Sequence, residues 1–456
     1  MGMMSENPRF PWQGGLRFAS HGPLAARAAR PRNVALVGFG TVGRSVARIL
    51  SSAPSPSNEA QTASLGTPPR LHLTHIINRD VERKRVDWLS SHIRWTDNFE
   101  DALDDSVDIV VELVGGLEPA REWVRRALLA GKSVVTANKQ LIAHHGAELL
   151  ELARRQGCQL AFGASVAGGV PVVSGLQEGL AGDRLYKVCG ILNGTCNYIL
   201  SKIEGGGIGF AEALGEAQQL GYAESDPTDD VEGFDARAKL AILARVGLNC
   251  EVSPGDIACR SIASLEAVDF LYARDLGCTI RQISCAELKD GKLFASVQPA
   301  LVPLASPLAR VQGSQNLVMV TGEFGGETVF SGHGAGGDPT AVAVVSDLMA
   351  IAEGRMNGWH SAPAQKVPVS SEFSSPHHLR FTVSDRPGII AAVSGILAKH
   401  GISIEAVLQK PGYPKSRLPF VMTLEECPNS LLERALGELR GLDFLVEPIL
   451  SLPLLR

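Results

Sequence analysis

A run of 18 apolar residues is absent from this sequence; its most apolar segment, VDIVVELVGGL from Val107, carries Asp108 and Glu112, so no membrane-spanning helix is expected. Paired cysteines are absent too. Cys158, Cys189, Cys196, Cys250, Cys259, Cys278, Cys285 and Cys427 stand singly, with no CxxC or CxxH spacing, which excludes a metal knuckle or dithiol motif and reads as reduced, intracellular thiols. Basic excess is missing. Lys and Arg number 43 against 48 Asp and Glu, a net charge of −5 that argues against a nucleic-acid or membrane partner and leaves small charged metabolites. Aromatic residues make up only 5% of the chain, and no tandem repeat is apparent. What is present is apolar material, 45% of 456 residues, enough for roughly three globular units. The 48 glycines point to tight loops where backbone approaches a ligand.

The first 33 residues hold Arg9, Arg17, Arg27, Arg30 and Arg32 with one acid, Glu6; a flexible extension over 1–32 is expected, an organelle transit segment being the other reading. NVALVG from Asn33 is a strand running into glycine, and TVGRSVARIL has helical spacing. The Ser/Pro/Ala-rich stretch 51–70 marks a surface insertion. LHLTHIIN, DIVVELVGG, EPAREWVRRALLAGK, SVVTAN, LIAHHGAELLELARRQG and QLAFG then alternate strand and helix, predicting a parallel, doubly wound Rossmann-type sheet over 33–160. The grammar changes to α+β over 161–335. The helical run TAVAVVSDLMAIAEG, within 336–356, can return to the first sheet and make that unit discontinuous. A polar linker is expected over 357–378. Residues 379–456 spell βαββαβ, a ferredoxin-like unit whose last strand reads DFLVEPIL.

GFGTVG, residues Gly38, Phe39, Gly40, Thr41, Val42 and Gly43, matches G-x-G-x-x-G between a strand and a helix, where glycines serve the tight turn, the approach of pyrophosphate and helix-on-strand packing. After the second strand come Asn78 and Arg79, with Asp80 two places late for a ribose contact, which favours NADP over NAD; a surface salt bridge is the alternative use of Arg79. Gly115 closes DIVVELVGG at the ligand edge, and Lys139 follows SVVTAN at the same edge. GYAESDPTDDVEGFDARAKLAIL packs Glu224, Asp230, Asp235 and Lys239 together, the last two four apart on one helix face. AFGASVAGGVPVVSG has no carboxylate from Ala161 to Gln177, so it cannot cage a divalent ion tightly, though its carbonyls can hold a monovalent one. Asp338 or Thr340 is placed to cap the helix after SGHGAGGDP.

Together GFGTVG, DIVVELVGG, GKSVVTANKQLIA, GILNGTCNYIL and GYAESDPTDDVEGFDARAKLAIL resemble the homoserine dehydrogenases, and the tail resembles the ACT domain often appended to them, from about Val34 onward. The resemblance implies NAD(P)-dependent interconversion of L-homoserine and L-aspartate 4-semialdehyde in the threonine, methionine and isoleucine routes. It implies that Glu224 holds the substrate amino group with Asp230 nearby, that Lys239 shuttles the hydroxyl proton with Asp235 assisting, and that Lys139 and Gly336 lie beside cofactor and substrate. A sodium ion at the carbonyls of Gly163, Val166, Gly168 and Val170 is also implied, structural use of that loop being the alternative; the family commonly has an acid where Gly163 stands and Thr or Ser where Cys196 stands. Threonine as an allosteric ligand, a homo-oligomer and a cytoplasmic location are further expectations. The competing reading is a non-catalytic NADPH or amino-acid sensor of the same fold. No stretch resembles an aspartate kinase.

Overall fold

The computed structural model describes residues 31–52, 71–355, 364–370 and 372–455; nearly all of the expected extension 1–32 and insertion 51–70 lies outside them. Strands β1 (Arg32–Val37), β2 (Leu71–Ile77), β3 (Arg94–Thr96), β4 (Ile109–Glu112), β5 (Ser133–Thr136) and β6 (Leu160–Ala161) form one parallel sheet ordered β3-β2-β1-β4-β5-β6. Three of its helices are α1 (Thr41–Ser51), α3 (Ala120–Leu129) and α4 (Lys139–Gln156); α2 (Val81–Lys84) is a single turn. Strand side chains alternate between two cores. Leu36, Ile76, Val111 and Val135 pack with Val46 and Ala47 of α1, while Val37, Ile77, Val110 and Val134 pack with Val124 and Leu128 of α3 and Leu141 of α4. Strand order reverses between β1 and β4, which opens a crevice at their carboxyl ends.

The next lobe comprises α5 (Val172–Ser174), β7 (Leu185–Ile191), α6 (Gly194–Gly206), α7 (Phe210–Gln219), α8 (Thr228–Val231), α9 (Phe234–Leu248), β8 (Cys250–Glu251), β9 (Ala258–Cys259), α10 (Ala267–Asp275), β10 (Cys278–Lys289), β11 (Lys292–Pro303), β12 (Gln315–Gly322) and β13 (Gly326–His333). α11 (Gly337–Ala352) then returns to the first sheet, where Ala341, Val344 and Leu348 complete the core that α1 begins. The stretch expected as a linker carries β14 (Gln365–Lys366), paired with β8, and β15 (Val369–Ser370), which ends the mixed sheet β13-β12-β7-β10-β11-β15. Cys189 of β7 and Cys285 of β10 are cross-strand neighbours joined by a disulfide, which corrects the expectation of eight reduced thiols. They are 96 residues apart, so no spacing motif announces them; the other six are free.

The C-terminal unit is β16 (Ser374–Val383), α12 (Ile389–Lys399), β17 (Ile404–Gln409), β18 (Leu418–Pro428), α13 (Asn429–Leu439) and β19 (Leu450–Pro453), an antiparallel sheet ordered β17-β18-β16-β19. Its last strand begins where the expected one ends. Pro448 lacks the N–H that a ladder needs, so only Leu445 makes an isolated bridge, to Val383, before the chain bends. Leu418, Phe420, Met422 and Leu424 face α12 and α13, whereas Val421 turns the other way onto Val268 and Tyr272 of α10. The Tyr272 hydroxyl donates to the Pro419 carbonyl at 2.9 Å, and buried Arg380 pairs with buried Asp269 at 2.6 Å. Burial pushes the Asp269 carboxyl up to about 6 despite the Arg380 charge. Among the described residues no helix is long and apolar enough to cross a membrane.

Candidate active site

At the end of β1 the three glycines of GFGTVG meet three different demands. Gly38 has φ +104°, and a Cβ there would lie 2.7 Å from the Leu113 carbonyl oxygen; at Gly43 it would lie 2.2 Å from that of Gly38. A Cβ on Gly40 would touch nothing within 4 Å, which leaves the start of α1 open for a pyrophosphate. The Phe39 amide donates to the Asn78 side chain at 3.3 Å, and its ring lies edge-on to Trp95. Arg79, next along, is exposed and takes part in none of the ion pairs among the described residues, whereas Asp80 pairs with Arg83 at 3.6 Å.

The returning segment closes over the same helix. Gly336 has φ +117°, and a Cβ on Gly337 would meet the Thr41 methyl at 2.9 Å. The expected cap at Asp338 or Thr340 is corrected: α11 starts at Gly337 with no side-chain cap, and Asp338 instead accepts from the Ser45 hydroxyl at 2.6 Å and pairs with Arg48. Sequence reasoning missed Glu112, which is buried at the end of β4. One of its oxygens accepts from the amides of Val114 at 2.7 Å and Gly115 at 3.1 Å, the other from the Thr136 hydroxyl at 2.6 Å. The Asn138 amide holds the Gly116 carbonyl at 2.6 Å while its oxygen caps α4. The strand edge around Gly115 is thus fixed by side chains behind it.

Facing that edge, the first turn of α9 buries Asp235, whose carboxylate joins three donors. Lys139 Nζ lies 3.0 Å from Oδ1, and Oδ2 accepts from Lys239 Nζ at 2.7 Å and Asn193 Nδ2 at 3.0 Å. The two lysines outweigh the cost of burial and hold the Asp235 carboxyl down at about 2. Burial alone would lower the Lys139 ammonium, but Asp235 more than offsets it and the net direction is upward. Lys239 also donates to the Leu192 carbonyl at 2.9 Å, which leaves one of its three N–H groups for a substrate oxygen. Asn193 escaped the sequence reading, although its place in NGT marks it as a helix cap: its oxygen accepts from Cys196 N, and its amide also donates to Asp230 at 2.6 Å. Burial raises the Asp230 carboxyl. Glu224 is not brought into this cluster; it is exposed, and its backbone carbonyl accepts from Gln218 at 3.1 Å.

The small-residue loop after β6 turns sharply, with Ala167 at φ +56° and Gly168 at +52°. The Val170 carbonyl accepts from Val172 N at 2.8 Å, which leaves it a second lone pair. A carboxylate does reach this loop, from a distance no motif reveals: Asp347 of α11 accepts from Gly163 N at 2.8 Å, and burial pushes its carboxyl up to about 7. Among the described residues no cluster of three or more His, Cys, Asp or Glu side chains can hold a metal.

Comparison with known proteins finds matches along most of the chain. The family profile described as "Homoserine dehydrogenase, NAD binding domain" matches residues 38–163, "Homoserine dehydrogenase" matches 171–349, and "ACT domain" matches 377–444. The homoserine dehydrogenase of Corynebacterium glutamicum is 39% identical over 396 residues, 84% of this chain and 87% of that one; the one from Mycobacterium tuberculosis is 41% identical over 395 residues, with the same coverage. The crystal structure of a homoserine dehydrogenase from Thiobacillus denitrificans superposes with TM-score 0.84 at 34% identity, covering 93% of this chain and 98% of that one. A hyperthermophilic archaeal homoserine dehydrogenase mutant in complex with NADPH gives TM-score 0.58 at 26% identity, covering 70% of this chain and 97% of its own.

Proposed function

Since this chain belongs to the homoserine dehydrogenase family, we propose that Lys239 moves the substrate proton and that Asp235, Lys139 and Asn193 hold it in place for that task. The reaction is that of an oxidoreductase acting on a CH–OH group, interconverting L-homoserine and L-aspartate 4-semialdehyde. The nicotinamide cofactor supplies the hydride acceptor or donor when bound in the crevice beside Gly38, Gly40 and Gly43. The protein's own work is at the oxygen. In reduction the Lys239 ammonium donates a proton to the aldehyde oxygen as hydride reaches the carbon; in oxidation the neutral amine takes the hydroxyl proton back. Asp235 aims that amine, and Lys139 places a second positive charge on the same carboxylate, at the strand edge where the oxygen carries developing charge. Asp230, sharing Asn193 with Asp235, is a carboxylate for the substrate ammonium, and we give Glu224 the same task once its loop meets the substrate.

The observation that carries this reading is the three-donor cluster on Asp235, assembled from α4, α6 and α9. It is tested by following aspartate semialdehyde reduction with NADPH and with NADH in the wild type and in Lys239→Ala. The variant should lose about 10²–10⁴ in turnover while binding cofactor as before; near-normal turnover removes Lys239 from the chemistry.

Three finer assignments belong to the same proposal. NADP is preferred because Arg79 is an exposed cation at the end of β2 that pairs with no acid among the described residues, while Asp80 is engaged by Arg83. A monovalent cation, sodium by family resemblance, is held by the main-chain carbonyls of Gly163, Val166, Gly168 and Val170. The loop fits such an ion because it offers neutral dipoles with a buried carboxylate against it, and no cage for a divalent one. Threonine is sensed by the ACT unit, where Gly388, at φ +94°, opens α12. Self-association and a cytoplasmic location are carried over from the family in the same way.

A further inference from the structure

Asp347 is a buried acid that the proton chemistry leaves unused. Its residue is 8% exposed, its Oδ2 accepts from Gly163 N at 2.8 Å, and no ion pair among the described residues includes it. Position 163 has no side chain, and a Cβ built there would lie 2.9 and 3.1 Å from the two carboxylate oxygens. The carboxylate therefore fills the space that a side chain at 163 would take. An ionised carboxylate withdrawn from water with amides as its only partners is costly, because backbone dipoles replace only part of its hydration. The loop it touches has the opposite deficit. Its carbonyls offer a cation dipoles without a charge, and its shape is held: a Cβ on Gly168 would press on the Gly334 carbonyl at 2.6 Å, and Gly169 N donates to the His333 carbonyl at 3.2 Å.

The two deficits meet in one residue, since the amide of Gly163 binds the carboxylate and its carbonyl is one of the four assigned to the ion. We infer that Asp347 is the counter-charge of the monovalent cation held by the 163–170 loop, supplied from α11 in a chain whose own loop contains no acid. The inference rests on the cation assignment above and deepens it. It ties ion binding to the returning helix, which also packs on α1 beside the cofactor turn.

The test uses the full chain without substrate or cofactor. Thermal denaturation is titrated with sodium chloride against tetramethylammonium chloride at equal ionic strength, for the wild type and Asp347→Asn. The wild type should show a saturable rise in Tm specific to sodium, and the variant should need about tenfold more sodium or greater for half the rise. In tetramethylammonium alone the order should reverse, the variant melting at or above the wild type, because an uncompensated buried acid has been removed. Asp347→Ser, which still offers Gly163 N an acceptor, gives the same comparison if the asparagine variant does not fold. Equal half-saturation in wild type and variant overturns the role of Asp347 and leaves the ion assignment standing. A variant that melts lower by the same amount in both salts shows a packing role and likewise overturns it. A wild type with no sodium-specific response overturns the ion assignment and this inference together.

Discussion

Asp235→Asn keeps the shape of the side chain and removes its charge, which isolates what the carboxylate contributes. Held at about 2 where the unperturbed carboxyl has 3.8, Asp235 contributes about 2 kcal/mol to folding at neutral pH. Breaking a buried ion pair by neutralising one partner costs roughly 3–5 kcal/mol. An asparagine oxygen in the place of Oδ2 still accepts two of the three hydrogen bonds, so the loss should fall near the lower figure. The sign follows from the depressed value: the contribution is complete above pH 3.8 and fades as pH falls towards 2. Urea denaturation of wild type and variant should therefore differ by about 2 kcal/mol at pH 7, with the gap narrowing on acidification below pH 4. Catalysis should respond separately. With the carboxylate gone, burial prevails at Lys139 and its ammonium titrates at lower pH. Turnover should drop by about 10²-fold or more as Lys239 loses the partner that aims it. A variant as stable as the wild type at pH 7, or one whose deficit is the same at pH 3 as at pH 7, would refute the assignment of this energy to the charge.

Arg79→Ala should weaken NADP binding more than NAD binding, because only the 2′-phosphate needs the cation; titration of both cofactors by fluorescence decides it, and equal losses would take Arg79 out of cofactor selection. Millimolar threonine should lower the activity of the full chain, and a chain ending before Ser374 should lose that response; inhibition that survives the truncation places the threonine site elsewhere. The truncation also bares Val268 and Tyr272 of α10, so a lowered melting temperature should accompany the lost response.

What the sequence made legible was local. The Gly38 turn, the alternating runs around it and the Asp235–Lys239 pair each lie within one or two elements, where periodicity and an i, i+4 spacing speak directly. The rest depends on topology. Lys139 reaches Asp235 only because α4 and α9 pack together. The Asp347 carboxylate reaches Gly163 across 184 residues, and Cys189 meets Cys285 through strand register. Helical spacing in TAVAVVSDLMAIAEG allowed a return to the first sheet, but it gave no sign that α11 begins three residues early on glycine, with Asp338 drawn sideways to Ser45. Asn193 looks like an ordinary helix cap until Asp230 and Asp235 are placed beneath its amide.

The chain leaves the first sheet through the 163–171 loop and comes back through 334–336, and these two crossings touch: Gly169 N donates to the His333 carbonyl, and Gly168 has room only for hydrogen beside Gly334. The catalytic lobe is therefore tied to the nucleotide sheet at this double crossing as well as through the packing of α9 on α4 and the core the two share. A bulkier residue at 168 would drive a wedge between the outgoing and returning crossings, forcing them apart at the Gly334 carbonyl while touching neither Lys239 nor the cofactor turn.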